Sequence, residues 1–375
     1  NGEVIRNPSI PLANRLDDYP IPDYDLTHQY IGESGRLVPM RPSPSHIQFE
    51  DFVVLGSRGC PHQCSYCSNQ RLKSNFPWLK EVRHYSVGYL MEHLKRVHSL
   101  FPGIRSFWIE DDTFFAKESE AIGEFAKRYK NEVGKPFYVL ISPWTYSEEK
   151  LKLLIDAGLY KIIMGIQSGS DNTNANIYNR VLSSERIMKI ALSLNGYSGL
   201  KVCYDFIGLN PFEKQSDLIE TIKFIRKLPA PFYIFNNNLA FYPGTRLYER
   251  AVGEGLDISR RLKHAGSHQG YILLKYEKMR HKIFHFLLLL LSGSGNIWRI
   301  GKVPRFLLSE TSITLYRCMD NRISDWVVSR LSALLIYMEW KKMIKRLLGP
   351  RLVSLIKLKL YYKLKYRPQN LNVYV

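Results

Sequence analysis

From Phe52 onward the chain alternates between two textures. Short runs dense in β-branched and aromatic residues read as buried strands: Phe52–Gly56, Ile104–Ile109, Phe137–Ile141, Lys161–Gly165, Lys201–Ile207 and Phe232–Leu239. Stretches with apolar residues at helical spacing follow them: Val87–Leu100, Lys117–Val133, Ser147–Ala157, Ser184–Leu194, Gln215–Leu228 and Thr245–Val252. A strand that is always followed by a helix cannot close a hairpin with the next strand. It returns parallel, so the repeat predicts a parallel α/β sheet. Residues 1–50 lack this rhythm and are rich in Pro, Asp and Asn, which predicts an extended N-terminal linker.

The predicted strands end in polar clusters. These are Cys60–Cys67, Glu110–Asp111–Asp112, Ser142–Thr145, Gln167–Ser170, Asp205 with Asn210, and Tyr242–Thr245. A (β/α) barrel builds its site from the loops at the C-terminal ends of many strands, whereas a doubly wound sheet gathers it at one switch point. Polar groups after every strand therefore favour a partial (β/α)6 TIM-like barrel over residues 51–255. Residues 256–375 form a separate basic, mainly helical C-terminal region.

Charge sharpens that boundary. The 375 residues carry a net charge of +19, and nearly all of the excess falls after residue 255. Lys341–Arg367 mixes Lys and Arg with Leu, Ile and Tyr, without an acidic residue. Such a stretch suits peripheral contact with an anionic membrane, and less well a nucleic acid. The apolar run Ile283–Leu291 is interrupted by His285 and falls short of the roughly 20 residues of a membrane span. A hydrophobic fraction of 45% excludes wholesale disorder. Three of the five cysteines lie together while Cys203 and Cys318 stand alone, which is no disulfide framework and points to a reducing, cytoplasmic setting, with membrane association through the tail as an addition. The chain opens on Asn1 without a signal sequence and reads as part of a longer protein.

The densest chemistry is Cys60-Pro61-His62-Gln63-Cys64-Ser65-Tyr66-Cys67, directly after the first strand. Thiolates are soft ligands that suit iron–sulfur clusters or zinc. Three of them on a 4Fe–4S cluster leave one iron open, since full protein ligation takes four. The zinc reading adds His62 to make a Cys3His site, but such sites ordinarily pair two separated ligand groups.

This C-x-x-x-C-x-aromatic-C spacing resembles the signature of the radical S-adenosylmethionine (SAM) superfamily. The resemblance implies that Cys60, Cys64 and Cys67 hold a 4Fe–4S cluster whose open iron chelates SAM, and that reductive cleavage of SAM yields a 5′-deoxyadenosyl radical. It implies that Tyr66 lies near the adenine. Phe107–Phe114 resembles the second-strand motif of the cobalamin-dependent branch, which places Glu110, Asp111 and Asp112 at the SAM amino group. Met164–Ser170 resembles the fourth-strand motif, with Gln167, Ser168, Gly169 and Ser170 as SAM contacts. Arg180, in Ile177–Arg180, matches an arginine that pairs with the SAM carboxylate. Tyr204–Glu213, with Asp205, and Phe241–Thr245 resemble the fifth- and sixth-strand motifs. The resemblance spans Phe52–Arg250. It makes cobalamin a possible further cofactor, although the cobalamin motif Asp-x-His-x-x-Gly is absent here.

The function so implied is radical C–H chemistry, with methylation foremost, on a small-molecule or lipid-like substrate. A one-electron donor such as flavodoxin or ferredoxin would supply the electron. One alternative is a tRNA-modifying methylthiotransferase-like enzyme. Another, of a different class, is a zinc-bound interaction protein with a basic membrane- or RNA-binding arm.

Overall fold

The computed structural model describes residues 15–33, 35–40, 51–76, 82–256 and 309–317, together with Phe284, Ile323, Trp326 and Arg330. Six strands form one sheet: β1 (Asp51–Val54), β2 (Ser106–Ile109), β3 (Phe137–Ile141), β4 (Leu159–Gln167), β5 (Lys201–Gly208) and β6 (Tyr233–Asn238). Their order across the sheet is their order in the chain, and every pairing is parallel. Right-handed crossovers that always step the same way place every helix on one face. The sheet is thus singly wound. β1 and β6 remain its two edges, as a partial barrel requires.

The two faces of the strands have different partners because side chains alternate. On the outer face, Phe107, Ile109, Val139, Ile162, Met164 and Tyr204 join one core with residues of the helices. Those helices are α2 (Val87–Leu100), α3 (Ser119–Glu132), α4 (Glu148–Asp156), α5 (Ser184–Asn195) and α6 (Gln215–Lys227), while α1 (Ser68–Asn75) stays outside this core and α7 (Arg246–Gly253) places Leu247 and Ala251 in a second cluster. On the inner face Tyr138, Ile163 and Cys203 form a small cluster with Trp108, Leu140 and Tyr160. Several helices begin where a hydroxyl can cap them. Ser86, Ser147, Ser183 and Thr245 accept from the backbone N–H of Tyr89, Lys150, Arg186 and Tyr248.

The N-terminal segment is more ordered than a linker. Tyr30–Glu33 and Arg36–Pro39 pair as an antiparallel hairpin whose turn uses Gly35 at φ 78°. Tyr24 hydrogen-bonds His93 of α2 at 2.6 Å, and Asp17 accepts from the Ser86 N–H at 2.9 Å. A few anchoring side chains, which a composition rich in Pro and Asp hides, dock this segment on α2.

Of the C-terminal region, α8 (Glu310–Arg317) contributes Ile313, which joins the main core together with Phe284. Lys223 of α6 pairs with Glu310 at 2.9 Å. The basic stretch 341–367 and Cys318 lie outside the described residues. Among the described residues no helix is long and apolar enough to cross a membrane.

Candidate active site

Beyond β1 the chain forms a tight loop from Gly59 (φ 94°) to Cys67, which is the N-cap of α1. Cys64 is buried, Cys60 and Cys67 are half-buried, and all three thiols are free. Four hydrogen bonds staple this loop to residues 177–179 and to α7. The Ser65 N–H donates to Tyr178 O at 3.0 Å and its hydroxyl to Ile177 O at 2.5 Å. Asn179, in the left-handed region at φ 55°, donates its amide to Gln63 O at 2.9 Å. The Leu247 N–H donates to Ser65 O at 2.9 Å. The ring of Tyr66 meets Tyr178 edge-on, with centroids 5.1 Å apart. Burial pushes the Cys60 thiol up to about 12 and raises Cys67 as well, so without a bound cation these thiols hold their protons. A coordinated metal reverses that balance.

The three carboxylates after β2 do not share one environment. Asp111 is 1% exposed. It pairs with buried Lys117 at 3.0 Å and accepts from the Gly56 N–H at 2.6 Å. Lys117 also donates to Gly56 O at 2.8 Å. Burial lowers the pKa of Lys117, and Asp111 pulls against that shift. Asp111 therefore anchors the start of the cysteine loop. Glu110 and Asp112 instead line a cavity of about 360 Å³ with Gly59, Asn69, Lys73 and Arg83. Asn69 donates to Asp112 at 2.9 Å. Burial raises both carboxyls, and the charge of a neighbouring Asp adds to each shift. The Arg83 Nε and Nη1 atoms are buried without a hydrogen-bond partner among the described residues.

The β4 side is tightly packed. Register slips between Gly165 and Gln167, and Gln167 sits at φ 71°. A bulge of this kind re-aims a side chain. Here the Gln167 amide folds over Gly165, where an added Cβ would lie 2.6 Å from Nε2. Gly169 is pressed on α6 so closely that a Cβ would meet Phe224 Cβ at 2.6 Å and Thr221 Cα at 2.8 Å. Ser168 contacts Thr221 at 2.9 Å, and Ser170 donates to Asp217 at 3.1 Å. A π-helical turn over Thr173–Ile177 follows. Such turns are frequent at functional sites.

Arg180 is turned inward and is 8% exposed. Its Nη1 donates to Cys64 Sγ at 3.3 Å and its Nη2 to Gly165 O at 3.0 Å. Asp205 stands on the inner face of β5, across from Gly165, and burial lifts its carboxyl to about 7.

Sequence reasoning overlooked part of this site. Glu213 closes the quoted fifth-strand motif, and burial raises it to about 8. Its Oε2, Thr173 Oγ1 and Asn174 Oδ1 are all buried; the Thr173 hydroxyl faces the Glu213 carboxyl, and none of the three makes a hydrogen bond of full geometry among the described residues. These three oxygens sit beside Ser168, which donates to Glu213 at 3.4 Å and whose carbonyl accepts from the Asn174 amide at 2.7 Å. Buried polar atoms that lack a full hydrogen bond mark a place where a ligand or water completes the set. Nothing in the local sequence pattern distinguishes them from ordinary loop residues.

The strand ends thus bring a cysteine loop, a charged cavity and a cradle of buried oxygens to one edge of the sheet. Residues 54–225 match the Radical SAM superfamily. This stretch is a radical SAM domain. An uncharacterized methyltransferase from Pyrococcus horikoshii is 30% identical over 289 residues, 73% of this chain and 58% of that protein. The cytidylyl-2-hydroxyethylphosphonate methyltransferase of Streptomyces wedmorensis is 26% identical over 193 residues, 50% of this chain and 34% of that protein. The chain therefore spans only part of the length of these relatives. Among solved structures, the radical SAM methyltransferase TsrM from Kitasatospora setae aligns with a TM-score of 0.46 and 14% identity, over 54% of this chain and 39% of that one.

The radical SAM domain implies a 4Fe–4S cluster and SAM. The residues present fit the cluster: three free thiols on one stapled loop, with a buried guanidinium against the middle one. Among the described residues no three His, Cys, Asp or Glu side chains stand close enough together to share a single metal ion. A cubane instead spreads its thiolates over separate irons.

Proposed function

We propose that this chain is the catalytic barrel of a radical SAM methyltransferase. In this reading Cys60, Cys64 and Cys67 hold a 4Fe–4S cluster, and SAM lies across the strand ends beside it. The observation that carries the proposal is the convergence of a three-thiol loop with two chemically distinct rims at the C-terminal edge of one parallel sheet. The methyltransferase names of two curated relatives support methylation as the outcome. When bound, the cluster supplies one electron to the SAM sulfonium, which breaks a C–S bond and opens radical chemistry at an unreactive carbon.

The chain's own residues divide the remaining work. Glu110 and Asp112 attract the ammonium end of SAM, and Arg83 offers a planar fork to its carboxylate. Ser168, Thr173, Asn174 and Glu213 form a dry polar cradle for hydroxyl groups, and Tyr66 gives an aromatic wall. The inner face of the barrel receives a small-molecule substrate. There Gln167 and Asp205 offer an amide and a carboxyl level with Gly165, beside the half-exposed ring of Phe235. The arrangement calls for a one-electron donor of the flavodoxin or ferredoxin kind. Cobalamin belongs to this proposal as the methyl carrier, with no ligand for it assigned in this chain.

The test is anaerobic reconstitution followed by reduction in the presence of SAM. Close to four iron and four sulfide per chain are expected, with release of 5′-deoxyadenosine or S-adenosylhomocysteine. Replacing the three loop cysteines by Ala should abolish both, whereas Cys203→Ala should spare both. Zinc in place of iron, or SAM left intact by a fully loaded protein, would overturn the reading.

A further inference from the structure

Arg180 presents a problem of charge. It is 8% exposed, and no carboxylate pairs with it among the described residues. A buried guanidinium without a counter-charge is costly, so some anion must stand beside it in the working protein. A guanidinium keeps its charge inside a protein. Its polar contacts are Cys64 Sγ at 3.3 Å, Gly165 O at 3.0 Å and the Tyr66 hydroxyl.

Its backbone is equally constrained. The Arg180 N–H donates to Asn174 O at 2.7 Å and its carbonyl accepts from the Leu182 N–H at 2.9 Å. The residue before it occupies the left-handed region and bonds the cysteine loop through its amide. The side chain therefore enters the site from a fixed point, with one nitrogen on β4 and another on the middle thiol. Hydrogen bonds to cluster sulfurs and nearby charge are what set the potential of an iron–sulfur centre.

We infer that Arg180 is a positioning residue for the cluster: its guanidinium donates to the Cys64 thiolate, neutralises it, and makes the bound cluster easier to reduce. This rests on the reading that the three thiols hold a 4Fe–4S cluster. It replaces the assignment of Arg180 to the SAM carboxylate. A cationic N–H donor on one thiolate favours the state with the extra electron, so removing it lowers the midpoint potential. The effect exists before SAM binds.

The experiment uses the full chain, reconstituted anaerobically and kept free of SAM. Iron content is measured first, and a wild-type value far from four iron per chain would refute the cluster reading rather than the role of Arg180. The midpoint potential is then read by EPR-monitored titration for wild type, Arg180→Lys and Arg180→Gln. Arg180→Gln should shift the one-electron equilibrium about tenfold against reduction, which is about 59 mV. Arg180→Lys, which keeps the charge, should recover part of it. Pulsed EPR of reduced wild-type protein carrying 15N-arginine should show a nitrogen coupling that Arg180→Lys lacks. That readout needs no variant able to hold a cluster beyond Lys. Equal potentials at equal iron content, or no arginine coupling in the wild type, would overturn the inference. Weaker SAM binding with an unmoved SAM-free potential would return Arg180 to the carboxylate.

Discussion

The two rims of the site solve opposite problems. The rim after β2 is charged and open: Glu110 and Asp112 face a cavity shared with Lys73 and Arg83. The rim after β4 is sealed: Ser168, Ser170, Thr173 and Asn174 are each at most 1% exposed. A charge at an open rim keeps its water until a ligand displaces it, so it can recognise a charged group at small cost to folding. A sealed rim must satisfy its polar atoms internally, and the few it leaves unsatisfied are where water or a ligand completes the set. Within the first rim the same contrast recurs between adjacent residues. Asp111 is consumed by Lys117 and the Gly56 N–H, while Asp112 keeps an oxygen toward the cavity.

The largest expected effect separates Asp111 from its neighbours. Asp111→Ala strands the Lys117 ammonium in the core and should cost about 3–5 kcal/mol of stability. Chemical denaturation would check it, and a loss below about 1 kcal/mol would mean that the pair is not closed in solution. Next comes the sealed rim. Gly169→Ala drives a methyl into the α6 backbone at Thr221 and should cost about 1–3 kcal/mol, measurable by the same method.

The open rim should behave in reverse. Glu110→Gln and Asp112→Asn should leave stability within about 0.5 kcal/mol of wild type. Each should weaken SAM binding about tenfold, equivalent to about 1.4 kcal/mol, by equilibrium dialysis with the cluster-loaded protein. If instead Asp111→Asn alone weakened SAM while these two did not, the division between the carboxylates would fail.

The last effect concerns pH. Burial raises Asp205 to about 7 and Glu213 to about 8, above their unfolded values. Carboxyls of this kind contribute stability that is fully present below the unfolded pKa and lost as pH rises through the native one. The melting temperature of the cluster-free protein should therefore fall between pH 5 and 9. Asp205→Asn and Glu213→Gln, neutral throughout, should each flatten that fall. Parallel curves for wild type and both variants would place these carboxyls in water.

Much of the β2 contrast was present in the strand's alternation. Phe107 and Ile109 pack on the helices, and Asp111 continues that phase past the end of the strand. Trp108 faces the inner side, and Glu110 and Asp112 continue with it. The three acids read as one motif only when the period of two is ignored. No such rule points to Glu213, Thr173 or Asn174. Their unsatisfied oxygens arise where a π-helical turn meets the loop after β5, a contact between segments distant in sequence.

Residue spacing alone determined the alternating strands and helices, the parallel sheet and the thiol loop, because periodicity and ligand spacing are local properties of the chain. Phe137–Ile141 and Val87–Leu100 have the limits their patterns predict. Tertiary structure alone decided which polar groups are spent and which are free. Asp111 is spent because Lys117 arrives from the turn before α3, and Arg180 is turned inward because Asn179 and Tyr178 are bound to the cysteine loop. A side chain's chemistry is written in its type, but its availability depends on what the rest of the fold brings within hydrogen-bonding reach.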